Sequence, residues 1–174
     1  MIVALENKNK VSLLTGNIPN FTDIKQKVKS IIDLSEDVQK SGTNLKCKMT
    51  DWKLHETQEC FKNIADVVKD HVTFHQRKHH KSAHPITVTD CWGAFYQGED
   101  KAKEHCHYPA LWSGVAYIDC PTDSKPTVFP SCGYSHPAEE GTYIIFPGWL
   151  KHYVESGSQS RYIVAFNMRA LNIV

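Results

Sequence analysis

The chain has 174 residues, 41% hydrophobic and 22% charged, enough for one well-filled core in a single domain, 1–174. Lys and Arg number 20 against 19 Asp and Glu, so no net field recruits nucleic acid or an anionic membrane. The apolar run Ile2 to Leu5 is far too short to be exported or to span a bilayer. Six cysteines, at 47, 60, 91, 106, 120 and 132, form no C-x-x-C pair, which reads as reduced thiols in a cytoplasm.

In chain order, residues 1–85 read as helical support with the first strands, and 86–174 as a β core. Phe21-Thr22-Asp23-Ile24 opens a helical pattern with Thr22 or Asp23 as cap and Ile24, Val28, Ile31 and Ile32 on one face. Gly42 and Asn44 break the chain before a short alternating strand, Leu45 to Met49. A second helix is predicted from about Thr57 to Gln76, burying Phe61, Ile64, Ala65, Val68 and Val72. The basic stretch Gln76 to Lys81 reads as a connector ending before Pro85.

From Ile86 the pattern becomes β. Ile86 to Tyr96 alternates, with Ile86, Val88 and Asp90 opposite Thr87, Thr89 and Cys91. Leu111 to Ile118, Thr127 to Phe129, Thr142 to Phe146, His152 to Glu155 and Arg161 to Met168 complete a set of short strands. Turn residues at Pro121, Gly133, Gly141, Pro147-Gly148 and Gly157-Ser158 separate them. The fold class is mainly β with N-terminal helices (α+β), an antiparallel sandwich or barrel.

Ten histidines are many for this length. His105 and His107 flank Cys106; on a strand the two imidazoles share a face and Cys106 points away. They read as a metal-ligand pair or as surface histidines on an edge strand. His152 opens the strand after the Pro147-Gly148 turn, at a barrel mouth. Arg161 shares a strand face with Ile163, Ala165 and Asn167, so it points inward and needs an anionic partner. That partner is either an internal carboxylate or the far end of a bound diacid. Taken together, these residues describe a non-haem iron site with an acidic cosubstrate.

Five segments carry a specific resemblance: Trp92 to Tyr96, His105-x-His107, Trp112 to Tyr117, Phe146-Pro147-Gly148-Trp149-Leu150-x-His152, and Arg161 to Asn167. Over residues 86–168 the chain resembles the iron(II)/2-oxoglutarate-dependent oxygenases, most of all a small group found in bacteria and phages. The resemblance implies a double-stranded β-helix, a jelly-roll or cupin-like barrel. It implies Fe(II) held by His105, His107 and His152, and 2-oxoglutarate as cosubstrate, with its distal carboxylate on Arg161 and Tyr117. Tyr96 is a further candidate for that carboxylate. The implied reaction couples decarboxylation of 2-oxoglutarate by dioxygen to hydroxylation of a protein or small-molecule substrate. The site of action is the cytoplasm, the host's if the gene is phage-borne. The chain departs from the family at His107, where the usual ligand is a carboxylate. Imidazole also suits zinc, copper and nickel.

Two other readings use the same residues: a cupin-type dioxygenase needing no 2-oxoglutarate, and a non-catalytic metal-binding barrel. The glutamate expected after H-x-H in the cupin motif is missing. An exposed sheet edge leaves room for a homodimer. Elsewhere, His71 and His75 read as surface histidines four apart on a helix, and His79, His80 and His84 with Lys78 and Lys81 as a solvated patch. Trp92, Trp112 and Trp149 read as core or pocket walls, and Ser113-Gly114 as a site of close strand packing. His136 reads as part of an exposed turn. Substrate specificity is expected in loops 97–104 and 120–141 and the helical N-terminus.

Overall fold

The computed structural model describes residues 3–5, 11–38, 44–79 and 84–171. The first half of these residues gives β1 (Val3–Leu5), β2 (Leu13–Asn17), α1 (Phe21–Leu34), β3 (Leu45–Lys46), β4 (Lys48–Met49), α2 (Leu54–Thr57) and α3 (Glu59–His79). The second half gives β5 (Ile86–Tyr96), β6 (Lys101–His105), β7 (Trp112–Asp119), β8 (Thr127–Phe129), β9 (Tyr134–His136), β10 (Thr142–Pro147), β11 (His152–Val154) and β12 (Arg161–Ala170). A 3-10 turn, Pro130–Cys132, joins β8 to β9. The strands form a seven-stranded sheet, β1-β2-β10-β7-β12-β5-β4, facing a five-stranded sheet, β3-β6-β11-β8-β9. All pairings between these strands are antiparallel. Two facing antiparallel sheets make the double-stranded β-helix expected from the sequence.

Strand alternation builds two cores, one on each face of the larger sheet. On β12, Val164, Phe166 and Met168 meet α1 and α3, while Ile163 and Ala165 face the second sheet. β7 and β10 do the same, with Ala116, Ile118, Tyr143 and Ile145 toward the helices and Tyr117, Ile144 and Phe146 inward. The helices cover the outer face through stripes at helical spacing: Ile24, Val28 and Ile32 on α1, and Phe61, Ile64, Ala65, Val68 and Val72 on α3. Gly114 lets β7 approach closely, since a Cβ there would clash with the Ile144 carbonyl and the Phe166 ring.

Several local expectations are corrected. Helix α1 starts at Phe21, ahead of Thr22 and Asp23; Asn20 enters it in the left-handed region (φ 50°) with no side-chain cap. The segment Leu45 to Met49 is two strands, because Cys47 turns the chain from the smaller sheet into the larger one. Helix α3 continues through the predicted connector to His79, and His80 and Lys81 lie outside the described residues. Strand β5 alternates as expected only as far as Thr89. A bulge there makes Asn167 pair with Asp90 and Met168 with Val88. The extra residue reverses the phase, so Cys91 joins Ile86 and Val88 on the helix side while Asp90 and Trp92 turn inward.

Candidate metal centre

Each imidazole is brought to the centre by a backbone feature. His105 ends β6 and His152 begins β11, and these two residues are direct cross-strand partners. His107 follows β6 by two residues, and its N–H donates to the Gly148 carbonyl at 2.7 Å. Gly148 in turn donates to Leu111 O at 2.9 Å, so the loops on either side of the two ligand strands are tied together. A Cβ at Gly148 would run into the Ala110 carbonyl. Only glycine allows that approach.

The three side chains offer nitrogens that all lie within 4.8 Å of one another. His107 Nε2 and His152 Nε2 are 3.3 Å apart with their rings nearly parallel, at 11°. The ring of His105 lies 4.4 Å from that of His152. Backbone carbonyls fix two tautomers: His105 Nδ1 donates to Lys103 O at 2.6 Å and His152 Nδ1 to Leu150 O at 3.0 Å. Since a carbonyl only accepts, both rings keep a lone pair on Nε2. Burial lowers the pKa of all three: His105 is lowered, His107 falls to about 3, and His152 lies well below the usual range. The neutral, metal-binding form therefore dominates near neutral pH. Two nitrogens each about 2.1 Å from an ion would stand roughly 3.0–3.4 Å apart in octahedral or tetrahedral geometry. The observed 3.3 Å fits that range.

The histidines line a cavity between the two sheets. Its walls are apolar (Val115, Ile163 and Ala165 among them), and Arg161 lies in the wall formed by β12. The guanidinium is 5% exposed and lies 4.4 Å over the Tyr96 ring. It donates to Lys125 O at 2.8 Å. Among the described residues it forms no ion pair with a carboxylate, so the internal salt bridge left open by the sequence is not what holds it. A buried guanidinium has five N–H donors to satisfy and strongly favours an anion. Tyr117, fully buried one inward row away, hydrogen-bonds Thr127 Oγ1 at 2.9 Å. Burial pushes the phenols of Tyr96 and Tyr117 up, so both remain protonated donors.

The six expected site residues thus line one cavity, divided between the sheets. His105, His107 and His152 come from the smaller sheet and its loops; Tyr96, Tyr117 and Arg161 come from the larger. Sequence reasoning missed an inward polar row in which Ser113 Oγ donates to Asn167 Oδ1 at 2.7 Å and Asn167 Nδ2 to Asp90 Oδ2 at 3.3 Å. Only the Thr89 bulge turns Asp90 into that row. The hydroxyl of Ser113 is engaged there, with Asn167.

Other readings are revised. His71 and His75 are buried, and His71 Nδ1 meets the Tyr143 hydroxyl at 3.0 Å. His136 is no exposed turn residue: it is buried on β9, with its ring stacked against Tyr117. The expected loop 120–141 contains β9 as well as the expected strand β8, and the expected loop 97–104 ends in β6, from Lys101. Trp149 is 57% exposed, unlike the wall residue Trp92. Cys106 is exposed and all six cysteines are free thiols. No helix among the described residues is long and apolar enough to cross a membrane.

Known structures of the same shape exist despite low sequence similarity. A prolyl hydroxylase from Trichoplax adhaerens, in complex with a hypoxia inducible factor peptide, superposes with TM-score 0.73 at 14% identity, over 93% of this chain and 85% of that one. The viral collagen prolyl hydroxylase of Paramecium bursaria chlorella virus-1, in complex with 2-oxoglutarate, matches with TM-score 0.66 at 16% identity, over 90% and 96%. HygX from Streptomyces hygroscopicus, with nickel and 2-oxoglutarate bound, matches with TM-score 0.68 at 8% identity, over 94% and 85%. The fold is that of the 2-oxoglutarate-dependent oxygenases. No family sequence model and no curated protein sequence matches the chain. Identities this low carry the oxygenase fold and nothing finer.

Proposed function

We propose that the chain is an Fe(II)- and 2-oxoglutarate-dependent oxygenase that couples decarboxylation of 2-oxoglutarate to oxidation of a C–H bond in a second substrate. One observation carries this reading: a buried guanidinium without a carboxylate partner among the described residues shares a cavity with three converging neutral imidazoles. A cation site alone suits many metalloproteins, whereas a cation site paired with an anion site suits a metal-chelating diacid. Solved proteins of the same fold hold 2-oxoglutarate, in one case with nickel.

His105, His107 and His152 would hold the metal through Nε2, with the Lys103 and Leu150 carbonyls keeping the first and last rings in the right tautomer. Arg161 would take the far carboxylate of the diacid, with the Tyr117 and Tyr96 hydroxyls as neutral donors beside it. Val115, Ile163 and Ala165 keep water from the space between. Bound there, iron and 2-oxoglutarate supply the oxidising chemistry; the protein supplies orientation and dryness. His107 in place of a carboxylate leaves the metal one negative charge short, which favours an acidic chelator.

The test is anaerobic. Fe(II) and 2-oxoglutarate added to the protein should give the weak visible charge-transfer band of the chelate, and admission of air should yield succinate. Arg161→Met should abolish both while metal binding persists. A wild-type protein giving neither band nor succinate would end this reading.

A further inference from the structure

Trp92 lies on the inward face of β5, 1% exposed and in the wall of the histidine cavity. Its ring is held by Trp52, with centroids 4.6 Å apart, and stands 6.3 Å from the ring of His107. Its only polar atom, the indole Nε1, is buried with no hydrogen-bond partner. A buried unpaired donor costs stability, and phenylalanine would fill the same wall without that cost. An indole N–H can only donate, so its missing partner is an acceptor.

Strand register locates the donor. Trp92 pairs with Ala165, and Tyr96 with Arg161. Four residues along a strand span about 13 Å, so the indole sits far from the guanidinium. Its contact with His107 places it at the imidazole end of the cavity.

We propose that Trp92 is a positioning residue whose indole N–H donates a hydrogen bond to a carboxylate or keto oxygen of the acid chelated at the three-histidine centre. Arg161 and Tyr117 would then fix one end of the diacid and Trp92 the other, which defines its rotation about the metal as well as its reach. The inference rests on the functional reading above, and the experiment separates the two.

The protein is labelled with ¹⁵N in its tryptophan indoles and loaded with Zn(II), which suits imidazole ligands and is diamagnetic. Its four tryptophans give four indole signals. The Trp92 signal is assigned by Trp92→Phe, or by elimination with the corresponding changes at Trp52, Trp112 and Trp149. Addition of 2-oxoglutarate should move the Trp92 proton downfield and slow its exchange with water. Trp92→Phe should bind 2-oxoglutarate about tenfold more weakly by calorimetry, with Zn(II) affinity unchanged. If calorimetry registers 2-oxoglutarate binding while the Trp92 signal stays in place, the assignment to Trp92 is wrong. A parallel loss of Zn(II) affinity in Trp92→Phe would make the residue merely structural and also overturn it. No 2-oxoglutarate binding by the Zn(II)-loaded wild type would overturn the functional reading and this inference together.

Discussion

At the scale of single residues, the chemistry-bearing groups could be read from the sequence and their satisfaction could not. His105, His107, His152 and Arg161 stood out because imidazoles at strand spacing and an inward arginine have few structural uses. Tyr117 entered through resemblance, and its fully buried hydroxyl beside Thr127 is consistent with that role. Tyr117→Phe removes one donor from the anion end. It should raise the KM for 2-oxoglutarate roughly tenfold, with kcat and metal affinity nearly unchanged; an unaltered KM would take Tyr117 out of the anion site. Trp92 could not be recognised this way, since an unpaired N–H is defined by what surrounds it. His71 and His75 were different, because the signal was present. They continue the stripe Ile64, Val68 at helical spacing, and the polarity of the imidazole outweighed the period.

Among the elements, the strands from β5 onward follow directly from alternation and turn residues, and the bulge at Thr89 does not. One inserted residue leaves no mark in composition, yet it decides which half of β5 faces the site. Strand β2, with the sequence Leu-Leu-Thr-Gly-Asn, has no alternation to read and is a strand because β1 and β10 pair with it on either side. The two ligand loops depend on Gly148, whose backbone bridges His107 and Leu111. Gly148→Ala must push the Ala110 carbonyl aside. It should weaken Zn(II) binding by at least about tenfold, because His107 and His152 separate. Circular dichroism should change little. Unchanged Zn(II) titration would show that the bridge is not what sets the ligand spacing.

Across the whole molecule, buried histidines make stability depend on pH. Burial lowers the pKa of His71, and that of His136 to about 4. Unfolded histidine takes up its proton near pH 6.5, so the unfolded chain binds more protons than the folded one below that value. Stability is therefore full above about pH 6.5 and falls as the pH drops toward the folded values. The urea midpoint of the metal-free protein should decline from about pH 6.5 to 5. Replacing His71 and His136 by Gln should lessen the decline, the remainder belonging to His105, His107 and His152, which burial also holds neutral; an equally steep profile in the double variant would assign the whole decline to those three.

The division of labour between the sheets has a mechanical outcome. Under the proposed assignment, metal alone would grip only the smaller sheet, and a diacid alone would find its guanidinium only on the larger. Bound together they would rivet one wall of the barrel to the other. The rise in melting temperature with Zn(II) and 2-oxoglutarate together should exceed the sum of the two separate rises. A merely additive shift would mean that the ligands do not meet across the gap.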